Sequence, residues 1–294
     1  MEWKQLEINN RILNLLKNKF MKKIIVPVDF SPASSNAAVF AGELAAFYGA
    51  EILLYHTYET PVAISEFAYP LFDTNELQKA ADNELEMLKE KTQSNVRTKI
   101  TINTKAQMSL LQEGLTELCE QVKPDLVVMG ISGKDALTQL LIGSNTIKAI
   151  HYLKYPVLVV PLKASFIPVR KIGFACDYRQ IQATTPVPLL KKIVADFNAE
   201  LHILNIDFQN KNFTADEVHE NFILQELIED IKPEYHSIES ENITEGINWF
   251  AEKARLDWIV VIPKKHPVIQ QIFSRSHTKH LLFHTHLPIL CLHQ

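Results

Sequence analysis

Short apolar runs alternate along the chain with longer segments in which apolar residues recur every three or four positions. The first run, Lys22-Lys23-Ile24-Ile25-Val26-Pro27-Val28-Asp29, ends on an acid and is followed by Ser31-Pro32. This predicts a buried strand meeting a helix N-terminus. Pro27 has no amide proton for a ladder, so it is expected at the strand's end or at an unpaired position. The helix carries Ala37, Phe40, Ala41, Leu44 and Phe47 at helical spacing, and Gly49 closes it. Further strands are predicted at Ile52–Tyr58, Thr98–Asn103, Leu126–Met129 and Val157–Val160, with helices near Asn75–Thr92, Ser109–Gln121 and Leu137–Leu153. Five strands alternating with four helices make an α/β fold, an open parallel sheet flanked by helices.

The same order returns after the middle of the chain. Lys171–Asp177 mirrors Lys23–Asp29, Ala199–Leu204 mirrors Ala50–Tyr55, and Asp257–Leu290 follows Asp125–Leu158 without a gap. A tandem duplication is the expected origin, with a first domain at 21–162, a second at 169–294 and a boundary at Leu162–Pro168. The register leaves the second copy about 17 residues shorter between its second and fourth strands. The extra segment of the first copy is placed at Tyr58–Asp73, an aromatic connection with Phe67, Tyr69 and Phe72 that is a candidate lid.

Composition narrows the class. A chain of 294 residues, 47% hydrophobic and 22% charged, suits two globular domains and excludes collagenous, disordered and disulfide-dense small folds. With 30 Lys+Arg against 34 Asp+Glu, the net charge of -4 offers no general attraction to nucleic acid or to a membrane surface. Cys119, Cys176 and Cys291 lie far apart in apolar segments and are expected as buried thiols in a reducing compartment. No apolar run is long enough to span a bilayer, and residues 1–20 lack the unbroken apolar stretch of a secretory signal. A cytoplasmic protein is expected.

At the end of the fourth strand the chain reads Gly130-Ile131-Ser132-Gly133, and nine residues later Gly143-Ser144-Asn145-Thr146. Glycines at a strand end let backbone amides approach an anion, and the Gly-Ser-Asn-Thr run sets amides and hydroxyls at a helix's positive end. The same glycines are equally compatible with two plain turns. In an open parallel sheet the ligand crevice lies where strand order reverses, here between strands one and four, and Asp29 faces it. The pattern is not a P-loop, since Val128 and Asp135 stand where a glycine and a hydroxyl residue are needed.

The chain from Met21 onward resembles the universal stress proteins, in particular tandem two-domain members with the adenine nucleotide alpha hydrolase-like fold. The resemblance rests on Ile25-Val26-Pro27-Val28-Asp29-Phe30-Ser31, on the Gly-x2-Gly-x9-Gly-Ser pattern and on Pro156-Val157-Leu158-Val159-Val160-Pro161. It implies ATP binding in the first domain, with or without Mg2+. Pro27, Asp29 and the Thr57 backbone are then expected beside adenine and ribose, and Gly130, Gly133, Gly143, Ser144 and Asn145 around the phosphates. Thr57 replaces the family's usual valine.

The second copy has Ile262, Lys265 and Arg275 at the positions of Gly130, Gly133 and Gly143, while Asp177 and Ser276 keep those of Asp29 and Ser144. A degenerate half that packs on the first as a pseudo-dimer is expected; anion binding by Lys264, Lys265, His266 and Arg275 is the alternative. His277, His280 and His284 share one helical face without an adjacent acidic or cysteine ligand, and no metal site is expected. No nucleophile is paired with a base, so nothing beyond slow ATP hydrolysis is expected. Residues 1–20 are read either as an amphipathic helix or as sequence ahead of a true start at Met21.

The function expected from this resemblance is an ATP-regulated cytoplasmic stress protein acting on a protein partner, with a homodimer of the whole chain allowed. The alternatives are a nucleotide-independent scaffold and a weak ATPase.

Overall fold

The structure, a computed structural model, describes residues 21–59, 73–131, 144–208, 214–263 and 286–293. Its strands are β1 (Lys23–Pro27), β2 (Glu51–Tyr58), β3 (Thr101–Met108), β4 (Leu126–Ile131), β5 (Val157–Pro161), β6 (Lys171–Ala175), β7 (Glu200–Phe208), β8 (Glu234–Ser240), β9 (Trp258–Val261) and β10 (Ile289–Cys291). They form one sheet in the order β3-β2-β1-β4-β5-β10-β9-β6-β7-β8. Every neighbouring pair is parallel except β5 and β10, which meet antiparallel through Val157–Cys291, Leu158–Leu290 and Val159–Ile289. The strand order read outward from that junction is therefore the same on both sides.

Helices α1 (Pro32–Tyr48), α2 (Thr74–Asn95), α3 (Leu111–Val122), α4 (Ser144–Tyr152), α5 (Ile181–Thr184), α6 (Val187–Phe197), α7 (Ala215–Ile228) and α8 (Ile243–Ala254) cover the two faces. Successive strand residues point to opposite faces. Ile24, Val26 and Val28 enter the core beneath α1 and α2, whereas Ile25, Val127 and Met129 enter the other with α3 and α4. Because both faces are buried there, the inner strands β1, β4, β5, β9 and β10 read as continuous apolar runs. The sheet's covered faces thus explain the pattern from which the strands were predicted.

Local chemistry starts and stops the helices. Ser31 caps α1 by accepting from the Ser34 amide, Pro32 occupies its first turn, and Gly49 at φ 70 ends it by donating to the Ala45 carbonyl. A reciprocal capping box of Thr214 and Glu217 opens α7.

Several backbone details recur between the halves. Asp125 accepts from the Lys22 and Lys23 amides at 2.7 and 3.0 Å; Asp257 accepts from those of Arg170 and Lys171 at 2.7 and 2.9 Å. Left-handed residues also recur in register: Phe30 with Tyr178, Gly49 with Asn198, and Lys123 with Arg255.

Two features differ from expectation. The third strand runs Thr101–Met108, not Thr98–Asn103, because it pairs with all of β2 from Glu51 to Tyr58. Its second half, Lys105-Ala106-Gln107, has little apolar signal of its own. The two five-stranded sets also form one sheet rather than two, since the edges β5 and β10 satisfy each other's backbone groups. The aromatic segment between Tyr58 and Asp73, the leader 1–20 and the cluster His277, His280 and His284 lie almost wholly outside the described residues. Among those described, no helix is long and apolar enough to cross a membrane.

Candidate functional site

The C-terminal ends of β1 and β4 lie side by side, and α1 leaves β1 toward one face while α4 packs on the other. This is the point where strand order reverses, since β1 is flanked by β2 and β4. Pro27 is the last residue of β1, paired in register with Tyr55, so its missing amide proton falls at the strand's end. Beyond it the Val28 amide donates to the Tyr55 carbonyl at 2.8 Å, and Phe30 turns the chain at φ 60.

Asp29 is exposed at that turn. Its Oδ1 accepts from the Ser31 amide at 3.1 Å, and its own amide donates to Ser34 Oγ at 3.3 Å. Partial desolvation pushes the Asp29 carboxyl up, but hydrogen bonds from Ser31 and Ser34 outweigh it and hold the group below the usual carboxylate range. Asp29 is therefore a fixed anion at neutral pH. A fixed carboxylate against the first turn of α1 neutralises that helix end and repels a second anion. The first turn of α4, Ser144-Asn145-Thr146, carries no acid of its own.

Gly130, in β4, owes its identity to contacts within the protein. A Cβ there would stand 2.2 Å from the Ala33 carbonyl oxygen and 2.8 Å from the Ser34 amide nitrogen. Only glycine lets β4 lie this close to the start of α1. Its carbonyl accepts from Thr146 Oγ1 at 3.2 Å, and Thr146 is 3% exposed. Thr146 thus ties α4 to β4, and the close approach of Gly130 sets β4 beside the start of α1. Asn145 is exposed beside Thr146, and Ser144 is the first residue of α4. Gly133 and Gly143 lie outside the described residues.

Thr57 is half-buried near the end of β2, in register with Gln107. Its neighbour His56 ties β2 to the crevice: Nδ1 lies 2.8 Å from the Val28 carbonyl, and the ring sits 4.5 Å from that of Phe30. Sequence reasoning passed over Phe30, Ser34 and His56. Ser31-x-x-Ser34 was legible as a cap, whereas His56 required the β1–β2 register.

The corresponding region of the second half keeps part of this frame. Asp177 Oδ1 accepts from the Arg179 amide at 3.2 Å, and Asn205 Nδ2 donates to the Cys176 carbonyl at 3.0 Å in the place of His56 and Val28. Ile262 stands in the register position of Gly130 and is 5% exposed. A side chain there prevents the close approach seen at Ala33. The helix after β6 is correspondingly broken into α5 and α6 around Pro186, and α5 starts without a side-chain cap. Lys265 and Arg275 lie outside the described residues.

Residues 21–161 match the model of the universal stress protein family. A universal stress protein of Methanocaldococcus jannaschii is 30% identical over 156 residues, 52% of this chain and 89% of the relative. The fold of a universal stress protein from Archaeoglobus fulgidus superposes over 92% of this chain and 98% of that one, with a TM-score of 0.68 at 17% identity. A functionally unknown Pseudomonas aeruginosa protein superposes over 95% and 94%, with a TM-score of 0.57 at 13% identity. The matched segment contains the strand that leads to Asp29 and the one that carries Gly130; this chain belongs to the universal stress protein family.

Proposed function

We propose that the first half binds an adenine nucleotide, ATP, in the crevice between β1 and β4, and that the ligand regulates a cytoplasmic stress response. The observation that carries this reading is the close approach of Gly130 to the start of α1, the helix whose first turn holds the Asp29 carboxylate, while the Gly130 carbonyl accepts from Thr146 in the acid-free first turn of α4. A carboxylate accepts hydrogen bonds from ribose hydroxyls, and a helix N-terminus takes phosphate. Phe30, His56 and the Thr57 backbone supply the apolar and polar edges for adenine. Ser144, Asn145, Gly133 and Gly143 belong to the phosphate end, where Mg2+ accompanies ATP as a counter-ion.

On this reading the chain is a duplicated domain, 21–162 and 169–294, closed into an intramolecular pseudo-dimer by β5 and β10. The paired Asp125 and Asp257 staples and the three paired left-handed residues support the duplication. The second crevice, filled by Ile262, serves packing. ATP acts as a ligand that shifts the surface offered to a protein partner, by binding one state of the crevice better than another.

Calorimetric titration tests the site. Asp29→Ala is expected to weaken ATP at least ~10-fold, as loss of a charge-assisted hydrogen bond of about 1.5–3 kcal/mol requires. Gly143→Arg, copying Arg275, is expected to abolish binding. Saturation at 100 times Kd adds ~2.7 kcal/mol and raises the melting temperature by several degrees. Parent protein that releases no nucleotide on denaturation and gains no stability from millimolar ATP would establish the scaffold reading instead.

A further inference from the structure

The outer edge of the second half carries a cluster remote from the crevice. β8 is the edge strand and pairs with β7 so that His202 lies opposite Glu234 and Leu204 opposite His236. Residues two apart on a strand share a face, so Glu234 and His236 project together toward the ring of His202. His202 Nδ1 is 3.0 Å from His236 Nε2, and Glu234 Oε2 stands 3.4 Å from the first nitrogen and 3.7 Å from the second. We infer that His202, Glu234 and His236 form a binding site for a divalent transition-metal ion, Zn2+, with its remaining position open to solvent.

The spacing carries the inference. An N–H to oxygen hydrogen bond spans about 2.7–3.2 Å, so both carboxylate distances are too long for one. Donors on a tetrahedral zinc ion with bonds of about 2.0–2.1 Å stand about 3.3–3.4 Å apart, and the spacings of 3.0, 3.4 and 3.7 Å bracket that value. The point equidistant from all three lies about 2.0 Å from each, within the bond lengths of zinc to nitrogen and oxygen. A hydrogen bond between the imidazoles explains one edge of the triangle and leaves the other two unexplained.

The surroundings suit a neutral-imidazole site. His202 is 3% exposed, and burial lowers its proton affinity against the opposing pull of Glu234. Burial, then the neighbouring His202, does the same for His236. Neutral imidazole is the form that ligates metal. With Nδ1 of His202 on the metal, its proton resides on the buried Nε2, and Glu200 Oε2, 3.8 Å away, lies beyond hydrogen-bond reach of it. Glu200 is also paired with Lys171 at 3.5 Å. The ring of Phe250, 4.4 Å from that of His236, limits its rotation. Two imidazoles and one carboxylate on adjacent strands suit Zn2+ over Mg2+ or Ca2+, which take oxygen ligands.

The test uses the full chain freed of metal by chelation, with Zn2+ titrated against a chromophoric chelator and Co2+ as a spectroscopic substitute. The parent is expected to bind one equivalent more than His236→Gln and to show the intense visible bands of tetrahedral Co2+. Glu234→Gln, a change at an exposed side chain, is expected to weaken that equivalent at least ~10-fold while far-ultraviolet circular dichroism stays unchanged. Saturating Zn2+ should raise the melting temperature of the parent and not of His236→Gln, because the ion ties the edge strand to β7. Equal stoichiometry, affinity and Co2+ spectra in the parent and both variants would overturn the site, leaving a hydrogen-bonded histidine pair and assigning any bound Zn2+ to the histidines between 266 and 293.

Discussion

Gly130 shows how one residue type serves more than its sequence reading. A glycine at a strand end was read as room for an anion, yet the atoms that would meet its Cβ are the Ala33 carbonyl and the Ser34 amide. Gly130→Val is therefore expected to destabilise the protein by about 1–3 kcal/mol or more through overpacking, with or without ATP, in urea unfolding. That variant is a poor probe of hydrolysis, and Asp29→Ala is the better probe of the site. His293 supplies a pH prediction. Its Nε2 lies 2.7 Å from the Ile150 carbonyl. Burial lowers its pKa, His151 adds to this, and the Ile150 and Tyr155 carbonyls oppose it. The unfolded chain thus takes up a proton that the folded one resists. The contribution is complete above the unfolded value of about 6.5 and is lost as pH falls below it. His293→Gln should flatten the stability profile below about pH 6.5 in calorimetric scans.

Among the elements, α1 decides the geometry of the crevice. Its cap Ser31 satisfies the Ser34 amide and gives its own amide to Asp29, so one turn both starts the helix and aims the carboxylate. Ser31→Ala is expected to cost about 0.5–2 kcal/mol of stability, measured by denaturant unfolding, and to weaken ATP as well by loosening Asp29. Asn36 holds the next turn by donating to the Pro161 and Ala164 carbonyls, both at 3.0 Å, where β5 ends. The second half lacks this continuity, because Pro186 divides the equivalent helical stretch.

Over the whole molecule, the halves are joined by more than the β5–β10 ladder. On one face Phe47 of α1 stacks on Phe197 of α6 at 4.9 Å and 14°, and Phe197 meets Trp258 edge-on at 5.2 Å. Phe40 lies 6.5 Å from Trp258, so first-half and second-half aromatics share one core. Aromatic pairs add about 0.5–1.5 kcal/mol beyond their buried area. Phe197→Ala is expected to destabilise by about 3 kcal/mol and to separate one calorimetric transition into two. A single transition with a minor shift would show that Phe197 is not needed to couple the halves. His293, at the far end of the chain, reaches α4 through Ile150 and extends that coupling to the helix proposed to hold phosphate.

The sequence alone determined the positions of the inner strands, because a sheet buried on both faces writes each of them as an apolar run, whereas the polar edge strand β8 went unpredicted. It also placed Asp29 at the end of β1 and Gly130 in β4, since strand-to-helix turns are local in the chain. The ends of β3 were not legible, because partner pairing extended an edge strand whose residues are polar. Nor was the antiparallel β5–β10 join, which depends on two strand edges far apart in sequence. The His202, Glu234 and His236 cluster arises from the register of β7 on β8, and the role of Gly130 from the approach of α1. Periodicity records which faces are buried. Packing among distant segments decides which side chains meet there.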